Sequence, residues 1–100
     1  MIKHIVFWTL QGSALGHTAD ENAREKKSRL EALAGLVPGM LAIEVGIDLS
    51  RTPSSADVAL YSEFTDRGAL AAYAGHPEHL AVADFINAVR VDRTVADYEV

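Results

Sequence analysis

The opening residues constrain the fold most, because they predict a strand that is apolar on both faces. From Ile2 to Leu10 the chain alternates with a period of two. One face carries Ile2, His4, Val6, Trp8 and Leu10, and the other carries Lys3, Ile5, Phe7 and Thr9. β-Branched and aromatic residues on both faces are typical of a strand that loses solvent on both sides. We therefore expect other parts of the protein or assembly to cover both faces of this strand.

The next segment predicts an amphipathic helix. Thr18 and Glu21 have the spacing of a capping box, in which each side chain binds the other residue's amide. The predicted apolar stripe consists of Ala19, Ala23, Leu30, Leu33, Ala34 and Val37. Arg24, Lys26 and Lys27 are assigned to the solvated face, and Gly35 and Pro38-Gly39 end the helix.

Two further strands and a broken helix follow. A period of two returns over Met40–Leu49, with Leu41, Ile43, Val45, Ile47 and Leu49 on one face, and again over Ala56–Phe64. Asp66 is a candidate N-cap for a short helix through Tyr73, which Gly75 would end in a left-handed conformation. Pro77 suits the first position of a second helix, which runs to about Val89 or Arg90.

The last segment, Val91–Val100, predicts the final strand and completes the order β-α-β-β-α-β. This order is typical of a ferredoxin-like α+β fold, with a four-stranded antiparallel sheet and helices on one face, here as a single domain over residues 1–100. The other face would leave a patch of Ile5, Phe7, Ala59 and Tyr61 in water. A homodimer through this sheet face would bury the patch.

Composition excludes several classes of function. The chain of 100 residues has no cysteine, which excludes disulfides, thiolate metal sites and cysteine nucleophiles. Its net charge of −5, with no clustering of basic residues, argues against a nucleic-acid partner. No apolar run approaches the roughly 18 residues of a membrane helix. With no phosphate-binding glycine loop either, we expect a cytoplasmic protein that uses no cofactor.

Four polar side chains stand among apolar neighbours: His4, Tyr73, His76 and His79. On a helical wheel His79 falls within about 20° of Ile86 and so borders the apolar stripe of its helix. If the helices cover the face that bears His4, then His4, Tyr73 and His79 converge. Two imidazoles and a phenol in a partly dry cavity can exchange protons near neutral pH.

Each candidate also has a structural interpretation. His4 and Tyr73 can be core residues, and His76 can cap the helix that follows it. His76, Glu78 and His79 also suggest a metal site. Their spacing across a proline aims the rings apart, and no second ligand cluster is evident, so we expect no metal.

Several segments together resemble the stress-responsive α/β-barrel (Dabb) domain: residues 1–7, Val37-Pro38-Gly39, Glu44-Val45-Gly46, residues 72–79 and residues 93–99. The resemblance implies a ferredoxin-like fold and a dimeric α+β barrel whose two sheets pack face to face. The same segments are similar to plant olivetolic acid cyclase, a polyketide cyclase with a histidine and tyrosine acid/base pair. By motif, those roles fall on His79 and Tyr73. The substrate-binding set would be His4, Val6, Trp8, Leu30, Leu60 and His76.

Three functions remain open at this point. The first is a cofactor-free acid/base enzyme, of cyclase or lyase type, acting on a small apolar carbonyl compound. The second is a non-catalytic dimer that either binds a small apolar ligand or is stress-associated with the same cavity simply filled. The third, by analogy of fold alone, is a cofactor-free monooxygenase.

Overall fold

The computed structural model describes residues 1–100, which form six strands and three helices. In chain order these are β1 (Ile2–Leu10), β2 (Ser13–Ala14), β3 (His17–Thr18), α1 (Ala19–Glu31), β4 (Met40–Ile47), β5 (Val58–Phe64), α2 (Arg67–Ala74), α3 (Pro77–Val89) and β6 (Arg90–Glu99). The short hairpin of β2 and β3 lies in the segment for which the sequence predicted only a loop.

The four long strands form one antiparallel sheet in the order β4-β5-β1-β6. This arrangement confirms the predicted ferredoxin-like α+β fold. β1 is an inner strand, and its register places His4 between Ser62 of β5 and Asp97 of β6. Residues directly opposite on neighbouring strands share a face, so His4 and Asp97 lie on the same side of the sheet.

The two faces of β1 meet different surroundings. Ile2, Val6, Trp8 and Leu10 are buried in the hydrophobic core together with residues of α1 and α3. On the opposite face Ile5 lies across from Tyr61 and Phe7 lies across from Ala59. No helix covers this second face, and Phe7 is 45% exposed. The predicted apolar patch therefore exists on the protomer.

Polar caps define where the helices begin. Thr18 and Glu21 form the predicted capping box of α1, and Asp66 accepts a hydrogen bond from the Ala69 amide at 2.8 Å at the start of α2. The prediction for Gly75 was wrong. Gly75 ends α2, but its φ of −99° lies outside the left-handed region, because the chain turns directly into α3.

The predicted inward face of β4 also needs a correction. A register shift between Met40 and Ala42 brings Met40 into phase with Ile43 and Val45 against the core. Leu41, which the simple alternation placed inward, is 55% exposed. A bulge adds one residue to one strand and so reverses the faces on either side of it. The strand ends at Ile47, which leaves Leu49 in solvent.

The assignment of Lys26 to a solvated face was wrong. Lys26 is fully buried, whereas Lys27 is partly exposed and binds Glu31 and the Val45 carbonyl at the edge strand. Lys26 follows Ala23 by three residues and precedes Leu30 by four, so it stands on the apolar stripe of α1. Leu33 and Val37 are also buried, in the turns after α1 ends, while Ala34 is exposed.

Gly39 brings the loop before β4 against α2. Its φ is +81°, and an added Cβ would lie 2.6 Å from the Ala69 Cβ. Gly35 has a similar φ of +78° but no atom within 4 Å of such a Cβ. We expect Gly35→Ala to cost about 1 kcal/mol through backbone strain alone. Gly39→Ala should cost about 1–3 kcal/mol more through the added clash.

Urea unfolding of the two variants measures this difference. Adding Ala69→Gly should recover much of the loss in Gly39→Ala and none of the loss in Gly35→Ala. Equal destabilisation of the two single variants would show that the contact between the loop and α2 does not restrict residue 39.

Candidate functional site

A cavity of about 310 Å³ lies between the helix-facing side of β1 and the helices. Seven residues predicted from the sequence line it: His4, Val6, Trp8, Leu30, Leu60, Tyr73 and His79. The lining is completed by Ala83, Ile86, Asn87, Arg90 and Arg93. This volume is at the lower end of the range for small-molecule sites. The structure thus brings together the predicted site residues other than His76.

A second cavity of about 290 Å³ adjoins the first. The two share four residues: His4, Tyr73, His79 and Arg93. Leu70, Val95 and Asp97 are among the residues that line the second cavity alone. The polar side chains therefore lie where the two cavities meet, and both cavities give access to them.

His76 does not line either cavity. It is the N-cap of α3, and its Nδ1 accepts a hydrogen bond from the Glu78 amide at 3.2 Å. The following proline holds His76 in extended backbone, with φ of −69° and ψ of 135°. The structure thus supports the capping interpretation of His76. No group of three or more histidine, aspartate or glutamate side chains is placed to hold a metal ion.

Tyr73 and His79 are neighbours across the break between α2 and α3. Their ring centroids are 4.3 Å apart. His79 Nδ1 lies 3.1 Å from the Ala74 carbonyl oxygen. Because a carbonyl only accepts, Nδ1 carries the proton in this contact, and the lone pair of a neutral His79 ring lies on Nε2.

Burial moves the pKa values of these two groups in opposite directions. Burial raises the pKa of Tyr73 to about 12, although the nearby Arg93 charge opposes the shift. For His79, burial lowers the pKa below 6.5, with smaller contributions from the charges of His4 and Arg93, while the bond to Ala74 acts in the other direction. At neutral pH the phenol is therefore protonated and the imidazole is neutral. One group can donate a proton while the other accepts one.

His4 is oriented by a carboxylate that the sequence analysis did not select. Its Nδ1 binds Asp97 Oδ1 on β6. The ring of His4 stands 6.2 Å from that of Tyr73, edge to face. A carboxylate on one imidazole nitrogen fixes the ring and directs the other nitrogen away from it. Alternation in the sequence places Arg93, Val95 and Asp97 on one face of β6. It does not show that β6 pairs with β1, because that pairing depends on the tertiary fold.

The buried Lys26 lies behind the cavity wall. Its ammonium nitrogen is 3.3 Å from the centroid of the Trp8 ring, and neither this nitrogen nor Trp8 Nε1 has a hydrogen-bond partner. Burial, together with smaller contributions from the charges of Arg90 and Arg93, lowers the pKa of Lys26 to about 6. A desolvated cation over an indole gains about 2 kcal/mol. That gain is smaller than the cost of burying the charge, so Lys26 is mainly a neutral amine at neutral pH.

Fold and site together define a ferredoxin-like α+β protein with a cavity between its sheet and its helices that is lined by Tyr73 and two histidines. The chain belongs to the Dabb family, since the family model described as the stress responsive A/B barrel domain matches residues 2–100. No curated protein matches the sequence. No helix is both long and apolar enough to cross a membrane.

Solved structures share the fold over nearly the whole chain. One is a dimeric protein of unknown function from Bacteroides fragilis, 31% identical, with a TM-score of 0.82 over 99% of this chain and 95% of its own. A dimeric ferredoxin-like protein of unknown function from Thermobifida fusca is 22% identical, with a TM-score of 0.85 over 99% and 90%. A structure described as an antibiotic biosynthesis monooxygenase is 21% identical, with a TM-score of 0.79 over 100% and 98%.

Replacing the buried lysine should stabilise the protein in a pH-dependent manner. In the unfolded chain Lys26 binds a proton below pH 10.5, whereas in the folded chain it stays neutral down to about pH 6. Between these values the unfolded state holds more protons, so the free energy of unfolding of the wild type rises with pH. Lys26→Met keeps the apolar stem and removes this effect.

We expect Lys26→Met to raise the free energy of unfolding by about 2–4 kcal/mol near pH 6 and by less than about 1 kcal/mol at pH 10. Denaturant unfolding of both proteins at several pH values provides the measurement. Lys27→Met, which alters a partly exposed neighbour, is the control. A gain from Lys26→Met that stays constant over this range would contradict the neutral state of Lys26.

Proposed function

We propose that this chain is a cofactor-free acid/base enzyme, of the cyclase or lyase type, that acts on a small apolar carbonyl compound. The observation that carries the proposal is the contact between Tyr73 and His79 in one cavity, with pKa values displaced in opposite directions. In such pairs the environment of each group determines which one acts as the acid and which one acts as the base. The resemblance that the sequence motifs suggest to a plant polyketide cyclase would imply the same two roles.

The chemistry begins with His79 as the base. Its Nε2 removes a proton from a carbon next to a carbonyl group, and the negative charge moves onto the carbonyl oxygen. In a cyclisation the resulting enolate carbon attacks a second carbonyl of the same molecule, and a carbon–carbon bond forms. Tyr73 donates a hydrogen bond to the developing oxyanion and then its proton. In the dehydration that follows, the Tyr73 phenolate takes a proton from the carbon next to the new hydroxyl group, and His79 gives its proton to that hydroxyl, which leaves as water. Each member of the pair is then in its starting protonation state.

The remaining residues of the cavity support these roles. His4, held by Asp97, positions the substrate oxygen or the neighbouring Tyr73. Val6, Trp8, Leu30 and Leu60 provide an apolar wall that excludes water from the enolate. The volume of about 310 Å³ suits a ligand with a single ring or a short chain.

A small linear triketone tests the proposal. Heptanetrione can cyclise with loss of water to orcinol, which is followed by absorbance and chromatography. We expect His79→Ala to lower the catalysed rate by about 10²–10⁴-fold and Tyr73→Phe by about 10–10³-fold. His17→Ala, which alters an exposed histidine away from this cavity, is the matched control and should keep the wild-type rate.

The same assay has a defined pH dependence. A base must be unprotonated, so the rate should fall as the pH drops through the lowered pKa of His79, below 6.5. The alkaline limb, where Tyr73 loses its proton, should lie near the pKa of Tyr73, at about 12, which leaves a plateau across neutral and mildly alkaline pH. Equal rates in the wild type and His79→Ala would remove the assignment of the base.

We also propose that the protein is a homodimer through the uncovered face of the sheet. The patch around Phe7 and Tyr61 is apolar and continuous across β1 and β5, and structural relatives are described as dimeric. Burying such a patch contributes about 25 cal/mol for each Å² of apolar area.

Phe7→Lys tests the dimer by placing a charge in that patch. We expect the variant to sediment as a monomer where the wild type sediments as a dimer. Leu80→Lys, on an exposed position of α3, should leave the wild-type assembly unchanged. If the Phe7→Lys protein is still a dimer, the interface lies on another surface.

Oxygen consumption distinguishes the monooxygenase alternative from the acid/base enzyme and from the binding protein. It is supported by the fold shared with a structure described as an antibiotic biosynthesis monooxygenase, and by the Trp8 ring on the cavity wall. Oxygen consumption with an aromatic hydroquinone would favour it. Ligand-induced thermal stabilisation without turnover of either substrate would favour the binding protein.

A further inference from the structure

The cavity of about 310 Å³ that holds Tyr73 and His79 has charged side chains of one sign only. Its charged residues are Arg90 and Arg93, and no aspartate or glutamate lines it. The chain as a whole has the opposite balance, with 14 acidic residues against 9 lysines and arginines. The cavity is thus a positively charged site in an acidic protein, and such a site attracts anions.

Neither arginine is neutralised by a carboxylate. The side chain of Arg93, an exposed residue, makes no hydrogen bond or ion pair within the protomer, and the Arg90 side chain donates to the Asn87 side chain at 3.0 Å and to the Val91 carbonyl at 3.4 Å. Three of the four arginines elsewhere in the chain have carboxylate partners, namely Arg29, Arg51 and Arg67, whereas Arg24 has none. Both guanidinium groups at the cavity therefore retain capacity to bind an acidic ligand.

A separate observation places one unused donor on the wall of the cavity and a second one behind that wall. The buried Lys26 nitrogen and Trp8 Nε1 have no hydrogen-bond partner. Trp8 lies directly across from Arg93 in the pairing of β1 with β6, while His4 lies across from Asp97 four residues away. The cavity therefore has one end at Trp8 and Arg93 and another end at His4, whose partner Asp97 lines only the adjoining cavity.

We propose that the cavity binds its ligand as an anion, namely a small apolar carboxylate held by Arg93 and Arg90 at the Trp8 end. The planar fork of a guanidinium matches the two oxygens of a carboxylate. This inference rests on the proposed function and narrows its substrate class from carbonyl compounds in general to those that carry an acid group. The apolar body of the ligand then extends along Val6 and Leu60 toward Tyr73 and His79.

The single tryptophan of the chain is a direct reporter of this cavity. Titration of Trp8 fluorescence with para-ethylbenzoate and with para-ethylbenzamide compares an anion with a neutral molecule of nearly the same shape. We expect the benzoate to bind at least about tenfold more tightly, because charge-assisted hydrogen bonds to arginine are lost with the amide. Added salt should weaken the binding of the benzoate and leave the binding of the benzamide nearly unchanged.

Arginine variants locate the effect. Arg93→Gln should lower the affinity for benzoate about tenfold and leave the affinity for benzamide unchanged. Arg90→Gln should act in the same direction. Arg24→Gln is the matched control, since Arg24 is exposed on α1, lies outside the cavity and has no carboxylate partner. It should bind both probes as the wild type does.

The outcomes separate this inference from the proposed function. Three results would overturn the anion site. They are equal affinity for the two probes, a preference for benzoate that survives in both Arg93→Gln and Arg90→Gln, and no response of Trp8 fluorescence to either probe. Such a result would leave the triketone assay of His79→Ala free to succeed. Conversely, a preference for benzoate with full triketone turnover in His79→Ala would establish the anion site and refute the acid/base assignment.

Discussion

The rest of the structure depends on the need to bury both faces of β1. An inner strand alternates its side chains, so Val6 and Trp8 point to one side while Ile5 and Phe7 point to the other. The helices cover only the first side, and the cavity lies beneath them. The second side stays apolar and uncovered on the protomer. A segment of nine residues therefore specifies the floor of the site and, on its other face, a surface that favours association with a second copy.

The contact between Tyr73 and His79, the proposed acid/base pair, is a consequence of the break between α2 and α3. An α-helix leaves its last carbonyl groups without partners, and at the end of α2 one of these is the carbonyl of Ala74. Pro77 starts α3 immediately afterwards, which brings His79 close enough to donate to that carbonyl. The unsatisfied carbonyl thus fixes the tautomer of His79, and the same turn sets its ring against Tyr73.

Local signals in the sequence predicted the parts of the fold and site that depend on local geometry. The capping residues Thr18 and Asp66, the proline of α3 and the alternation of β1 each act over a few residues. The partners of His4 and the two cavity arginines depend on the register of β6 against β1, which no short pattern specifies. Lys26 is different, since its helical spacing already placed it on the apolar stripe of α1. Its charge was given more weight than its position, although a long apolar stem allows lysine to be buried when the amine is neutral.

Arg93 connects ligand binding to proton transfer. Its positive charge lowers the pKa of His79 and opposes the rise in the pKa of Tyr73, so it disfavours an imidazolium and favours oxyanions beside it. A bound carboxylate would offset part of that charge. The pKa of His79 would then move upward toward its ordinary value, which makes the imidazole a stronger base once the ligand is in place. Binding of an acidic ligand and activation of the base would in this way have one physical cause, the neutralisation of an arginine that has no carboxylate partner of its own.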